Sequence, residues 1–410
     1  MEKKESPMKI LVVTQYFWPE QFRINDLCDG LIERGHDVTV YTGLPNYPEG
    51  SFFKGYSFFG PYSETLGKIK IIRCPLLPRG KNKSLRLALN YFSFFFLASL
   101  LAPFLVRGKF DKIFVYEPSP ITVAIPAIVL KYLKRAPMFF WVTDLWPESL
   151  EATGAVKNKK ILNLVSCMVR ILYQHSDKIL VTSKGFIPRV KALGGKDSQI
   201  IYFPQWAEAS FGQIPDGLSD NKLPTSGFII MFAGNIGSSQ DFETIVKAAV
   251  LLRDHKDIHF VILGDGLMRP WAESEVKKTG IEGTFHFLGR KPLSSMPYYY
   301  SKADVMLMSL TDTDLFSITV PAKLQSYLAS AKPVLASING EGAEVVKEWE
   351  AGLVSPAGRP DILAAKALEF SRLTKQELKA MGDKGYACYQ AEFEREKLID
   401  TLINEFKKVL

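Results

Sequence analysis

Three glycine-bearing segments in the second half of the chain each follow an apolar run directly: Gly234 and Gly237 in FAGNIGSSQ, Gly264 in LGDGLMR, and Gly289 with Arg290 in FLGRKP. A strand that ends in glycine and leads into a helix lets backbone N–H groups approach an anion, and the helix N-terminus favours negative charge there. One such turn is a weak signal. Three at one edge of one sheet point to a nucleoside-diphosphate site. Lys323, in TVPAKLQSYLASAKPVLAS from Thr319 to Ser337, adds a cation in the first turn of an expected helix. Cations are disfavoured at that end unless an anion is bound nearby, and a flexible ammonium suits phosphate. A solvated surface lysine is the alternative.

In the first half, VTDLWPES offers Asp144 and Glu148 after an expected strand. Either carboxylate could act as base or orienter for an attacking hydroxyl, or Asp144 could simply cap a helix. Trp146 between them presents a flat apolar face suited to a sugar ring. Arg23 in YFWPEQFRIND is placed to contact a phosphate, or to pair with Asp26 on the same helix. TDTD, Thr311 to Asp314, contains an Asp-x-Asp, read here as a loop rather than a metal site. The five histidines form no ligand-like spacing.

These residues need a scaffold. A chain of 410 residues, 47% apolar and 23% charged, suits two globular domains of about 200 residues each. KILVVTQYF, the strand in IERGHDVTVYTG, KIKIIRC, DKIFVYEPSP, MFFWVTDLWPES and SDKILVTSKG repeat a β-α-β rhythm that implies a parallel sheet. A Pro, Gly, Asp and Ser-rich stretch follows, and the rhythm restarts with FIIMFAGNIGS, IHFVILGDG, TFHFLGR, DVMLMSL, KPVLAS and AGLVSP. The expected architecture is therefore α/β, with two doubly wound domains at 8–205 and 206–385. An amphipathic helix over 386–410 need not pack on the domain it follows. Doubly wound folds bind ligands at the carboxyl ends of their strands, so a cleft between two such domains is the expected site.

The net charge of +8 implies an anionic partner. Cys28, Cys74, Cys167 and Cys388 lie far apart, with no CxxC pair, which fits a reducing cytoplasm better than zinc or disulfides. MEKKESPMKI has no apolar run before the first strand, so a secretory signal is not expected, and Met8 could be the natural start. LALNYFSFFFLASLLAPFLV, from Leu87 to Val106, is long enough to cross a bilayer. Spanning would split the first domain across the membrane. Two readings stay open: a helix buried in the domain, or one lying in the membrane plane with one face in lipid. Arg79, Lys81, Lys83 and Arg86 just before it favour the second, giving a membrane-associating segment at 79–106. Phe52, Phe53, Tyr56, Phe58 and Phe59 could extend the same patch.

The succession GNIG, GDG, FLGR with MPYYYSKADV, and PAKLQSYLASAKPV resembles the donor-binding half of the family 4 retaining glycosyltransferases, which have the two-domain GT-B fold. QYFWPEQFRINDL, TGLPNYPEG and VTDLWPES resemble a narrower subgroup, the L-fucosamine transferases of bacterial O-antigen, capsule and colanic-type polysaccharide assembly. The resemblance covers nearly the whole chain. It implies transfer, with retention, from a UDP-sugar to a polyprenyl-diphosphate-linked saccharide at the cytoplasmic face of the inner membrane, without nucleic acid and without a metal cofactor. The expected acceptor side contains Trp18, Arg23, Asn46 and Trp146.

The departures from the family pattern matter as much. Where many members carry an Arg after the first-loop glycine and a Lys five positions on, this chain has Asn235 and Gln240; where two glutamates are usual it has Ile318 and Ser326. An uncompensated diphosphate in a partly desolvated site is costly, so Lys323, with Arg290 second, is the expected replacement. A UDP-N-acetylglucosamine 2-epimerase-like enzyme and a non-catalytic nucleotide-sugar scaffold remain as alternatives.

Overall fold

The computed structural model describes residues 6–80, 84–152, 154, 156–207 and 217–409. Lys81 and Lys83 of the basic cluster, the first five residues of the expected extension and residues 208–216 of the expected linker lie outside this set. The chain forms two compact units, Met1–Phe203 with Glu396–Leu410, and Pro204–Arg395.

The first unit begins with β1 (Lys9–Val13), α1 (Arg23–Glu33), β2 (Asp37–Gly43), β3 (Ser63–Leu66) and β4 (Ile69–Cys74). It continues through α2 (Ser84–Leu105), β5 (Lys112–Glu117), α3 (Ala124–Lys134) and β6 (Met138–Val142). It then runs through α4 (Glu148–Ala152), α5 (Lys159–His175), β7 (Lys178–Val181), α6 (Phe186–Ala192) and β8 (Ile200–Tyr202). The eight strands lie in the order β3-β4-β2-β1-β5-β6-β7-β8. All neighbours are parallel except the β3–β4 pair. The unbroken apolar runs of β1, β5 and β6 follow from this position, since a central parallel strand is covered on both faces. The edge strands β3 and β8 were not anticipated. β3 is polar and β8 has three residues, too little pattern to read.

From β1 the chain moves one way across the sheet to β2 and β4, and from β4 it moves the other way through β5 to β8. Right-handed crossovers then require α1 on one face and α2, α3, α5 and α6 on the other. The direction reverses between β1 and β5, so loops at the carboxyl ends of these strands flank the unit's natural ligand position.

The second unit comprises β9 (Phe228–Ala233), α7 (Phe242–Leu251), β10 (Ile258–Leu263), α8 (Arg269–Thr279) and β11 (Phe285–Gly289). Next come α9 (Met296–Lys302), β12 (Val305–Ser309), α10 (Asp314–Ser317), α11 (Ala322–Ala329), β13 (Val334–Ser337) and α12 (Glu341–Glu348). β14 (Gly352–Ser355), α13 (Pro360–Ser371) and α14 (Lys375–Cys388) complete it. Its parallel sheet has the order β11-β10-β9-β12-β13-β14, with a buried apolar cluster on each face. The reversal here falls between β9 and β12.

The segment 386–410, expected as one helix, is not continuous. α14 runs into a π-helical turn over Tyr389–Phe393, Glu394 is extended, and α15 (Arg395–Lys408) begins afresh. The break has a packing cause. Phe393 is buried in the second unit's core, whereas Phe406 is buried among first-unit rings, 4.7 Å from Phe139 and 6.2 Å from Phe114. Arg34 on α1 also pairs with Glu396 at 2.8 Å and Asp400 at 2.5 Å.

Candidate active site

In the second unit the three glycine turns sit on adjacent strands and are stitched together by backbone. The Gly234 N–H donates to the Leu263 carbonyl and the Gly264 N–H to that of Gly289, both at 2.9 Å. Gly234 and Gly264 have φ of 145° and 137°, a region that favours glycine. A Cβ on Gly264 would lie 1.8 Å from the Gly234 carbonyl oxygen. Gly266, not singled out above, is as tightly held, since its Cβ would lie 2.4 Å from the Ile236 carbonyl. Asn235 packs against both Gly237 and Gly266. Asp241 then caps α7, accepting from the Thr244 N–H at 3.3 Å.

Lys323 reaches this edge from the other side of the strand-order reversal. Its place in the first turn of α11 brings Nζ to 3.4 Å from where a Cβ on Gly234 would be, and 4.2 Å from the Phe232 ring centroid. The ammonium donates to the side-chain oxygen of Gln240. Burial pushes its pKa down to about 7. The structure thus brings Lys323, Gly234 and Gln240 together, and α11 has no side-chain cap on its first N–H groups. Ser326, one turn on, is buried, which accounts for a hydroxyl there: an unpartnered carboxylate would be expensive in that position.

Arg290 stands at the exposed end of β11, 3.9 Å from Asp265, and Arg269 approaches the same carboxylate at 3.8 Å while pairing with Glu273 at 2.7 Å. Arg269 is a cation that sequence reading passed over, although it closes LGDGLMR. Asp312 accepts from Asn339 at 2.9 Å, and Asp314 opens α10 behind its Thr313 cap.

In the first unit, Asp144 follows β6 and accepts a hydrogen bond from the Ser149 hydroxyl. Burial raises its carboxyl to about 6, against the pull of the Ser149 hydroxyl. Glu117, at the end of β5, was not anticipated because it completes a strand in an otherwise apolar run. It is fully buried, accepts from the N–H groups of Ser119 at 3.1 Å and Asp144 at 3.3 Å, and is pushed well up by burial and by the Asp144 charge. One Glu148 oxygen and the Tyr173 hydroxyl are buried without a hydrogen-bond partner. Burial, and then the charges of Glu117, Glu148 and Asp144, push Tyr173 up. These groups form one acidic cluster beside the strand-order reversal.

Tyr91 on α2 links this cluster to a second. Burial raises its hydroxyl, opposed by the charge of Arg79 and by hydrogen bonding to Ser119 and Tyr16. Arg79 lies over the Tyr47 ring at 4.9 Å from its centroid, with Nη1 3.4 Å from the Tyr16 hydroxyl. It was grouped above with cations for lipid headgroups; the structure instead turns it into this aromatic pocket. Arg23 opens α1, half-buried next to Phe22, whose ring stacks on Tyr16 at 5.1 Å. Trp18 is partly exposed, its carbonyl accepting from the buried Arg73 at 2.5 Å.

Two acceptor-side expectations are corrected. Asn46 is fully buried: its Nδ2 donates to the Leu44 carbonyl at 2.9 Å and its Oδ1 accepts from the Arg79 N–H at 3.0 Å, so it braces loops rather than meeting a ligand. Trp146 is 7% exposed, leaving no open ring face for a sugar. Glu20, passed over within the same motif, is the knot between these loops. Its carboxylate accepts from the N–H groups of Phe17, Asn46 and Tyr47 at 3.2, 2.8 and 2.7 Å, and burial raises it to about 7.

Comparison with known proteins agrees with this geometry. Residues 218–387 match the family described as glycosyl transferases group 1. Over 336 residues, covering 78% of this chain and 81% of the relative, the chain is 25% identical to WcaI of Escherichia coli (strain K12), described as a colanic acid biosynthesis glycosyl transferase. Among solved structures it resembles sucrose-phosphate synthase from Thermosynechococcus elongatus, with a TM-score of 0.72, 16% identity and 99% of both chains covered. It also resembles Anabaena HepE in complex with UDP and glucose, with a TM-score of 0.68, 14% identity, and coverage of 98% of this chain and 100% of that one. The three stitched glycine turns thus lie in the part of the chain that matches this family, and the chain as a whole has the GT-B fold.

Proposed function

We propose that the chain moves a sugar, N-acetylfucosamine-like, from a UDP-sugar to a polyprenyl-diphosphate-linked saccharide during surface-polysaccharide assembly, with retention at the anomeric carbon in the manner of family 4 enzymes. The observation that carries this reading is Lys323 held against the Gly234 turn, where a donor diphosphate would rest. The colanic acid description of WcaI supports the polysaccharide setting, and the UDP and glucose in the HepE complex support the donor class.

In this mechanism the bond between the anomeric carbon and the β-phosphate oxygen breaks, and negative charge grows on the departing UDP. Lys323 and the N–H groups of the glycine turns stabilise that charge, so no divalent metal takes part. The acceptor hydroxyl oxygen bonds to the anomeric carbon on the face the UDP leaves, and its proton passes to the departing diphosphate. Asp144, held by the Ser149 hydroxyl and, through its own N–H, by the Glu117 carboxylate, orients that hydroxyl, with Glu148 beside it. Arg23 and the pocket around Arg79 hold the acceptor diphosphate. The reaction takes place at the cytoplasmic face of the inner membrane, where the chain is peripherally bound.

The test is a panel of UDP-sugars offered with a lipid-diphosphate saccharide. UDP release that requires the acceptor, with the donor's anomeric configuration preserved in the product, supports the reading. A UDP-sugar isomer formed without acceptor identifies an epimerase instead, and tight UDP binding without any turnover identifies a scaffold.

A further inference from the structure

The helix α2 is inside out. Its polar residues Asn90 and Ser93 face the protein, where Asn90 accepts from Gln15 at 2.7 Å and donates to the Leu77 carbonyl at 2.6 Å. Phe94, Ala98 and Ala102 share that buried face. The outer face carries Leu85, Leu89, Phe92, Phe96, Leu100 and Phe104 at helical spacing, and Phe104 is 69% exposed. Among the described residues this is the one helix long and apolar enough to cross a membrane, yet only 28% of its apolar window is buried. Single exposed apolar side chains are ordinary, but a stripe of this length is not.

The neighbouring helices continue the stripe. α2 packs against α3 and α3 against α5, on the one sheet face that right-handed crossovers assign to all three. α3 exposes Tyr132 and Leu133, with Tyr132 against His175 of α5 at 6.0 Å. α5 exposes Ile161, Leu164 and Ile171, and Leu164 is 70% exposed. None of the three helices contains Asp or Glu, and their charges are Arg86, Lys131, Lys134, Lys159, Lys160 and Arg170. The opposite face is different. There α1 carries Asp26, Asp29 and Glu33 with Arg23, and α15, tied to α1 through Arg34, mixes Glu396, Asp400 and Glu405 with Arg395, Lys397, Lys407 and Lys408. Of the two helix sets, only α2, α3 and α5 combine an exposed apolar stripe with basic side chains and no acidic ones, which matches an anionic apolar partner.

We infer that α2, α3 and α5 together form a docking plane for an anionic lipid leaflet, with the apolar side chains entering the acyl boundary and the basic side chains meeting headgroups. This deepens the membrane setting proposed above by assigning the contact to three helices instead of the α2 segment alone. It rests on that reading for its biological place but not for its test.

The test is flotation of the full chain with vesicles of phosphatidylcholine alone or with one third phosphatidylglycerol. Wild type should partition at least about ten-fold more strongly to the anionic vesicles, and the preference should collapse in high salt. Leu164→Glu with Ile171→Glu on α5, two helices away from α2, should lower partition about as much as Phe92→Glu with Phe96→Glu on α2. UDP binding and far-ultraviolet circular dichroism are measured on each variant to show that it is folded. Wild-type partition by the α5 variant overturns the three-helix plane. Equal binding to both vesicle types overturns the anionic partner, and a stable dimer in sedimentation that the α5 variant dissolves assigns the face to a second copy instead. Transfer to a water-soluble short-chain acceptor is assayed in parallel, so a wild type that transfers but does not dock refutes this inference alone, whereas a wild type that docks but does not transfer refutes the proposed function alone.

Discussion

The Lys323 ammonium donates to the side-chain oxygen of Gln240, joining the first turn of α11 to the end of the Gly234 turn. Position 240 is where the family resemblance would place a lysine. Here the cation comes from a different element to the same edge. Lys323→Ala is expected to weaken UDP binding at least about ten-fold, the equivalent of ~1.4 kcal/mol, by calorimetry. Lys332 is the control: its Nζ donates to the carbonyls of Ser301 and Ala303 at 3.1 and 2.6 Å, so Lys332→Ala should lower the Tm and leave UDP affinity nearly unchanged. Equal, mild effects on affinity would sink the phosphate assignment.

Burial holds Lys323 at about 7, below the ordinary lysine value of 10.5. An incoming diphosphate favours the charged form, so UDP binding above pH 7 should take up a proton, and affinity should fall as pH rises from 7 to about 9. Calorimetry in buffers of different ionisation enthalpy reads the proton directly. For stability the sign is opposite. Between about 7 and 10.5 the unfolded chain binds a proton that the folded chain does not, so this site favours folding increasingly as pH rises through that window. Lys323→Met should remove that slope in urea titrations.

Gly264→Ala sets a methyl group 1.8 Å from the Gly234 carbonyl at a φ of 137°. Neither backbone can yield without parting the glycine turns. A loss of about 2–4 kcal/mol is expected, combining left-handed strain with overpacking. Gly280→Ala, with nothing within 4 Å at a φ of 71°, carries the strain without the clash and should lose less. Urea unfolding of the two variants separates the contributions.

Asp144 has its carboxyl raised to about 6, chiefly by burial, from 3.8. The folded chain therefore keeps a proton that the unfolded chain has released between about 4 and 6, and this site's support for folding declines as pH rises through that window. Asp144→Asn should flatten the decline. In the proposed reaction it should also lower kcat while leaving the KM for the UDP-sugar nearly unchanged, because the donor diphosphate is assigned to other residues. A change confined to KM would move Asp144 out of the reaction.

Two of the contacts that hold α15 differ in magnitude. Phe406 is fully buried between Phe114 and Phe139, so Phe406→Ala should cost about 3–5 kcal/mol in the first unit. Arg34 pairs with carboxylates whose side chains are more than half exposed, so Arg34→Ala should cost less than about 1 kcal/mol. Comparable losses would mean that the helix is held by charge rather than by the aromatic contact.

Much of the architecture was legible in the chain because parallel strands covered on both faces must be continuous apolar runs, and β1, β5, β6, β9, β10 and β12 are written that way. The glycines at 234, 264 and 289 were legible as well, since each ends such a run. β3 and β8 were not, because an edge strand needs no such pattern. Glu117 and Glu20 were hidden too: a carboxylate marks itself as buried only when its neighbours in space are known.

The amino-acid sequence by itself determined the two α/β repeats, the glycine turns and the candidate cation, because periodicity and turn chemistry act over a few residues. Only the tertiary structure decided which of these meet. It carried Lys323 across the strand-order reversal to Gln240, turned Arg79 into an aromatic pocket, closed Asn46 and Trp146 to ligands, and set the outward face of α2 beside those of α3 and α5. Those outcomes depend on strand order and crossover hand, which join residues far apart along the chain and leave no local trace in it.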